Sequence, residues 1–171
     1  MSMKQYFGKE WKPSWDRFVY TGIEGLTKSI DKNARILDIG CGYNDLKEYF
    51  PNLYGIDPYN DAADEVISWE KFDPKGKEFD AFLCLGSLNF GTYKKIDKQI
   101  AKLAEMCKPK RRVYWRQNPG LTSTRWKGSE KINFFPWSKD YNVLFTKQYG
   151  FQIVNQGVDG GDRLYYEWQK L

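Results

Sequence analysis

The sequence contains no histidine and only three cysteines. The absence of histidine excludes Ser-His and Cys-His catalysis and the commonest zinc sites. Three cysteines, Cys41, Cys84 and Cys107, lack metal-type spacing, and we interpret them as small buried residues. We therefore predict no metal site.

Long hydrophobic runs are also missing. No segment approaches the roughly 18 apolar residues of a membrane-spanning helix, and mean hydropathy is -0.71. The basic N-terminus has no apolar stretch behind it, so it is not typical of a secretory signal. These absences predict a cytoplasmic protein with no membrane partner.

The 171 residues, of which 41% are hydrophobic and 18% aromatic, are enough to bury one core. We predict a single domain over residues 1–171, with residues 1–30 as an N-terminal helical extension. Net charge is +5, and the segment 108–131 alone holds eight basic residues and one acidic residue. Such a segment could contact an acidic partner or be a solvated surface.

Apolar patterns predict alternating strands and helices along the chain. Helices are expected at 15–30, at 92–107 after the N-cap Thr92, and at 138–150 after the N-cap Ser138. Strands are expected at 35–39, 53–57, 65–69, 79–86, 112–115, 151–156 and 163–169, the last two as a hairpin. This order predicts an α/β three-layer sandwich: a mostly parallel seven-stranded sheet, an antiparallel C-terminal strand, and helices on both faces.

The run "ILDIGCGYND" joins the first predicted strand to a turn with Gly40 and Gly42. A dinucleotide-binding fingerprint would need a glycine at position 45. This sequence has Asp45 there, and its carboxylate would repel a pyrophosphate. The turn therefore favours a neutral or positive ligand group. Asp57 ends the second strand, where it could accept hydrogen bonds from ribose hydroxyls. A ribose at Asp57 and an ammonium group near Asp38 together describe S-adenosylmethionine.

Four segments, "ILDIGCGYND", "YGIDPY", "EFDAFLCLGSLNFG" and "KPKRRVYW", resemble successive motifs of the class I S-adenosylmethionine-dependent methyltransferases. The resemblance covers residues 34–171 and implies S-adenosylmethionine as cofactor and S-adenosylhomocysteine as product. This sequence differs from the family motif at the usual third glycine, where it has Asn44. Asparagine tolerates left-handed backbone angles.

The resemblance implies a cofactor role for residues at four strand ends. The first turn would contact the amino acid part of the cofactor, Asp57 the ribose, and the residues after it the adenine. Residues after the third strand would cover the adenine edge, and the exit of the fourth would line the methionine. With Asp38, the predicted cofactor-binding residues are Gly40, Cys41, Gly42, Asp57, Pro58, Tyr59, Trp69, Glu70, Leu85, Gly86 and Ser87.

The acceptor side is predicted from position alone, and no catalytic base is identified. The candidates are Asn89, Arg116, Trp126 and Trp137. A small-molecule acceptor is favoured; the alternatives are a nucleic-acid methyltransferase that uses the basic loop 116–131 and a non-catalytic S-adenosylmethionine-binding protein. Trp11, Trp15 and Tyr20 are interpreted as packing for the first helix rather than as a cover over the cofactor.

Overall fold

The computed structural model describes residues 2–120 and 132–171. Within them, six strands form one sheet in the order β2-β1-β3-β4-β6-β5. Strands β1 to β4 are parallel, and β6 is antiparallel to both β4 and β5. The bounds are β1 Ile36–Ile39, β2 Leu53–Ile56, β3 Ala81–Leu85, β4 Arg112–Gln117, β5 Phe151–Asp159 and β6 Arg163–Lys170.

Helices cover both faces of this sheet. The α-helices are α1 Met3–Gln5, α2 Ile23–Ser29, α3 Tyr93–Met106 and α4 Lys139–Tyr149, with a π-helical turn at Tyr6–Glu10 and 3-10 turns at Trp15–Arg17 and Asp45–Glu48. Side chains alternate along the strands, as in Ile36 and Leu37 of β1, and they fill two separate hydrophobic clusters. The predicted α/β class with an antiparallel C-terminal strand is confirmed.

Two predicted helices begin and end where the sequence indicated. The hydroxyl oxygens of Thr92 and Ser138 accept the backbone N–H groups of Lys95 and Tyr141 at the starts of α3 and α4. Gly150 ends α4 with a φ of 70°. Local capping chemistry is therefore sufficient to place these helices.

The predicted strand 65–69 does not form, so the sheet has six strands rather than seven in the parts of the chain that the structure describes. One parallel bridge joins Ile56 and Glu65. The carboxylate of Asp64 accepts the N–H of Gly55 at 2.8 Å, and the Asp64 N–H donates to the Gly55 carbonyl at 2.9 Å. This residue thereby satisfies both backbone groups of Gly55 that a neighbouring strand would otherwise pair.

The predicted helix 15–30 is also wrong as a continuous element. A short turn at Trp15–Arg17 and helix α2 are separated by a non-helical, bent segment. In that segment the N–H groups of Val19 and Tyr20 donate to Asp159 at 2.6 and 2.7 Å. A distant carboxylate therefore binds the donors that a helix would pair internally.

No helix in the described parts of the chain is long and apolar enough to cross a membrane. The cytoplasmic location stays a prediction.

Candidate functional site

A cavity of about 710 Å³ lies at the carboxyl ends of the parallel strands, and residues near the N-terminus cover it. Open parallel sheets bind ligands at this edge. All twelve predicted cofactor-binding residues line the cavity, although they come from four separate parts of the chain. The fold therefore brings residues of the first three motifs, together with Trp69 and Glu70, into one site, while the fourth motif, "KPKRRVYW", contributes no residue to the described cavity wall.

The glycine turn after β1 has a backbone that other residues adopt with strain. Gly40 has a φ of 75° and Gly42 a φ of 56°. A Cβ atom at Gly40 would lie 2.3 Å from the Cβ of Ser87, and one at Gly42 would lie 3.1 Å from the Trp11 ring. Both glycines are thus needed for backbone conformation and for close packing within the cavity wall.

Asn44 stands in the left-handed conformation, with a φ of 61°. Its side-chain amide donates to the Ala62 carbonyl at 3.1 Å and to the Asp64 carboxylate at 3.2 Å. Asn44 therefore keeps the turn geometry that a glycine would allow, and it also anchors the segment that follows β2.

Asp57 links the end of β2 to the glycine turn. Its carboxylate accepts N–H groups from Gly42 at 3.0 Å, Tyr59 at 2.8 Å and Asn60 at 3.0 Å. Burial raises the pKa of Asp57, and these three hydrogen bonds act in the opposite direction. The carboxylate lies in the cavity wall.

Asp38 is a buried acid beside Asp57. Burial, with repulsion from Asp57 as the second cause, raises the pKa of Asp38 to about 7. Within residues 2–120 and 132–171, no hydrogen bond satisfies its carboxylate. A buried carboxylate without a partner is costly, so this end of the cavity favours a cationic ligand group.

A turn after β2, rather than the predicted strand, carries Trp69 and Glu70. The Trp69 indole N–H donates to the Gln99 carbonyl at 3.1 Å, and the Gln99 side-chain amide donates to Glu70 at 2.6 Å. The Lys102 ammonium binds the Trp69 carbonyl at 2.7 Å and lies 4.8 Å from the centre of its ring. Helix α3 thus fixes this wall through Gln99 and Lys102, two residues that no motif in the sequence indicated.

The acceptor-side candidates are placed differently from one another. Asn89 lines the cavity, and its amide joins the ends of β3 and β4 by bonding Arg116 and Asn118. Arg116 also lines the cavity, but its guanidinium donates to Asp159 at 3.1 Å. Burial lowers the pKa of Arg116 to about 10, against the opposing effect of Asp159.

The remaining candidates are Trp137 and Trp126. Trp137 was predicted to lie on the acceptor side, but it lies in the core. It is 1% exposed and packs on Trp115 with 5.4 Å between ring centroids, and its indole N–H donates to the Leu88 carbonyl. Trp126 lies outside the described residues. So do Arg125, Lys127 and Lys131, on which the nucleic-acid alternative chiefly depends.

Aromatic residues near the N-terminus form a part of the wall that the sequence interpretation missed. Trp11 and Trp15 line the cavity, while Tyr20 stacks on Tyr165 with 4.5 Å between centroids. The interpretation of Trp11 as helix packing was wrong, whereas Trp15 both lines the cavity and packs against the core. The density of aromatic residues between 6 and 18 was the available signal. Tyr6, Phe7, Phe18, Phe90, Phe134 and Arg163 were also missed.

Comparison with solved structures identifies the fold. The magnesium protoporphyrin IX methyltransferase of Synechocystis PCC 6803 with bound S-adenosylhomocysteine matches with a TM-score of 0.66 and 15% identity over 87% of this chain and 80% of that one. The 1,6-didemethyltoxoflavin-N1-methyltransferase of Burkholderia thailandensis, with 1,6-didemethyltoxoflavin and S-adenosylhomocysteine bound, matches with a TM-score of 0.65 and 14% identity over 86% and 76%.

The N-methyltransferase NodS of Bradyrhizobium japonicum WM9, in complex with S-adenosylhomocysteine, matches with a TM-score of 0.65 and 14% identity over 86% of this chain and 83% of that one. No protein-family model matches the sequence, and no curated protein matches it significantly. The chain thus has the Rossmann-like fold of class I S-adenosylmethionine-dependent methyltransferases. Identities this low establish the fold and not the substrate.

Proposed function

We propose that the protein is an S-adenosylmethionine-dependent methyltransferase with a small-molecule acceptor, and that residues 1–171 act as one domain. The observation that carries the proposal is the pairing of a glycine turn with two buried acids in one cavity. Asp38 lacks a hydrogen-bond partner among the described residues, and Asp57 adjoins the turn at Gly42. A ligand with an ammonium group and a ribose fits both acids.

The cofactor would be held by residues at the strand ends. Gly40, Cys41 and Gly42 would contact its amino acid part, with Asp38 near the ammonium group. Asp57 would accept from the ribose, with Pro58 and Tyr59 beside the adenine and Trp69 and Glu70 at its edge. Leu85, Gly86 and Ser87 would line the methionine. Cavities of a few hundred cubic ångströms suit ligands of this size.

When bound, S-adenosylmethionine would supply an activated methyl group that transfers by in-line displacement. The residues of this chain then need to orient the acceptor and exclude water. The aromatic cover of Phe7, Trp11 and Trp15 suits the exclusion of water. An acceptor whose nucleophilic atom is already unprotonated needs no general base. The reaction would then need no histidine, and this sequence has none.

The test is isothermal titration of S-adenosylmethionine and S-adenosylhomocysteine into the wild-type protein, with NAD and ATP as matched controls. We expect the first two ligands to bind and the controls not to bind, because Asp38 and Asp57 repel phosphate groups. Failure of both adenosyl ligands to bind the folded protein would refute the proposed function.

A further inference from the structure

Part of the cavity lining is an aromatic wall. The Phe90 ring lies 5.3 Å from Phe7 and 5.3 Å from Phe134, measured between centroids. Tyr6 continues the wall, with 4.7 Å between its ring and that of Phe7. Three segments that are distant in sequence thus bring their rings together around one space, which suits a flat apolar group.

Arg163 adjoins this wall at the start of β6. It is partly buried, lines the cavity and interacts electrostatically with Tyr6. One of its guanidinium nitrogens donates to the Gly161 carbonyl at 3.1 Å. Across residues 2–120 and 132–171, no carboxylate lies within 4 Å of it, although the more distant charge of Asp162 acts on it favourably.

Arg116 provides the contrast within the same cavity. Its guanidinium is paired with Asp159 at 3.1 Å and with the Gly160 carbonyl at 2.8 Å. Burial lowers the pKa of Arg116, and the positive charge of Arg163 lowers it further, so the two guanidinium groups are electrostatic neighbours. The buried carboxylate of Asp159 thus compensates Arg116, and within residues 2–120 and 132–171 the Arg163 guanidinium has one hydrogen bond, to the Gly161 carbonyl, for its five donor N–H groups.

Acidic and basic groups of the cavity come from different parts of the sheet. Asp38 lies in β1 and Asp57 and Glu70 follow β2, whereas Arg116 and Arg163 belong to β4 and β6, on the other side of β3 in the strand order. A guanidinium presents two parallel N–H groups that match a carboxylate, and such pairs are strong where water is partly excluded.

We propose that the methyl acceptor is a small aromatic molecule carrying a carboxylate, with its ring against Phe7, Phe90 and Phe134 and its carboxylate on Arg163. The inference rests on the proposed function, because it assigns the acceptor side of the same cavity. Arg163 here is a specificity-determining residue that recognises the acceptor.

The test compares acids with their neutral amides. Benzoate, 4-hydroxybenzoate and 1-naphthoate, and the amide of each, are titrated into wild-type protein with and without S-adenosylhomocysteine. We expect at least one acid to bind about tenfold or more tightly than its amide, the effect of a charge-assisted hydrogen-bonded pair. Cyclohexanecarboxylate should bind more weakly than benzoate, since it lacks an aromatic ring.

Three variants test whether Arg163 causes the preference for the acid over its amide. Arg163→Gln should abolish the difference between acid and amide, and Arg163→Lys should retain part of it. Arg111→Gln is the matched control, because this arginine lies before β4 at the opposite edge of the sheet and pairs with Asp80. Melting temperatures establish that each variant is folded.

The outcomes separate the two proposals. If S-adenosylhomocysteine binds but no acid binds more tightly than its amide, or if the preference persists in Arg163→Gln, this inference is overturned and the proposed function stands. If the folded wild-type protein binds no adenosyl ligand, the proposed function fails. Equal binding of cyclohexanecarboxylate and benzoate would overturn the aromatic part of the proposal.

Discussion

The carboxylate of Asp57 accepts the backbone N–H of Gly42 at 3.0 Å, so the end of β2 fixes the turn that follows β1. A carboxylate has about four acceptor positions, and Gly42, Tyr59 and Asn60 use three of them. About one position remains for a ligand hydroxyl. Asp57 therefore shapes the site as well as contributing to its binding surface.

The variant Asp57→Asn tests this double role. The amide nitrogen cannot accept an N–H, so we expect S-adenosylhomocysteine to bind about 10- to 100-fold more weakly, in line with roughly 1.5–3 kcal/mol for hydrogen bonds to a charged group. Titration calorimetry measures the affinity. Asp61→Asn, an exposed neighbour, is the control and should bind like the wild type. Equal affinities in the two variants would contradict the role given to Asp57.

Close packing at Gly40 can be separated from backbone strain by comparison with Gly76. The two glycines have φ values of 75° and 78°, but a Cβ atom at Gly76 would meet nothing within 4 Å. Gly76→Ala should therefore cost only the left-handed strain of about 1–2 kcal/mol. Gly40→Ala should cost more, because its Cβ atom meets Ser87, and it should abolish ligand binding. Urea unfolding and calorimetry measure both effects, and equal losses of stability would refute the packing argument.

The raised pKa of Asp38 predicts a pH-dependent affinity. The acid titrates near pH 7 in the free protein, and a ligand ammonium group stabilises its ionised form, so binding should strengthen as the pH rises. We expect S-adenosylhomocysteine affinity to increase about tenfold between pH 5.5 and 7.5, with proton release. Methylthioadenosine, which lacks the ammonium group, should show no such change.

The variant Asp38→Asn is the control for the pH experiment. Its neutral side chain should give a weak affinity that does not vary over the same pH range. Stability without ligand should change with pH in the opposite direction. The folded protein binds the Asp38 proton more tightly than the unfolded chain does, so the free energy of unfolding should decrease as the pH rises from about 4 to 7. A wild-type affinity that is flat with pH would exclude Asp38 as the ammonium partner.

The sequence predicted those features that depend on local chemistry or on strand ends. The caps at Thr92, Ser138 and Gly150 and the left-handed Asn44 are decided by neighbouring atoms. The family resemblance implied the cofactor-binding residues, and those from three of the four motifs, with Trp69 and Glu70, line one cavity at the edge where parallel strands end.

The features that the sequence did not predict depend on partners distant along the chain. The non-helical segment around Tyr20 depends on a carboxylate 139 residues away. The absence of a strand at 65–69 depends on side-chain bonding from Asp64. Trp137 lies in the core because Trp115 and Trp168 pack against it, which no periodicity near residue 137 indicates.

Asp159 offers the sharpest test of these distant contacts. It is completely buried and accepts hydrogen bonds from the backbone of Val19 and Tyr20, from the Thr21 hydroxyl and from Arg116. Asp159→Asn leaves the Arg116 guanidinium without its counterion, and breaking a buried pair in this way costs about 3–5 kcal/mol. We expect the free energy of unfolding, measured in urea, to fall by about this amount. Glu24→Gln, which breaks the fully exposed pair with Lys28, is the control and should unfold at the wild-type urea concentration. Equal midpoints for the two variants would mean that Asp159 does not hold the N-terminal segment against the hairpin.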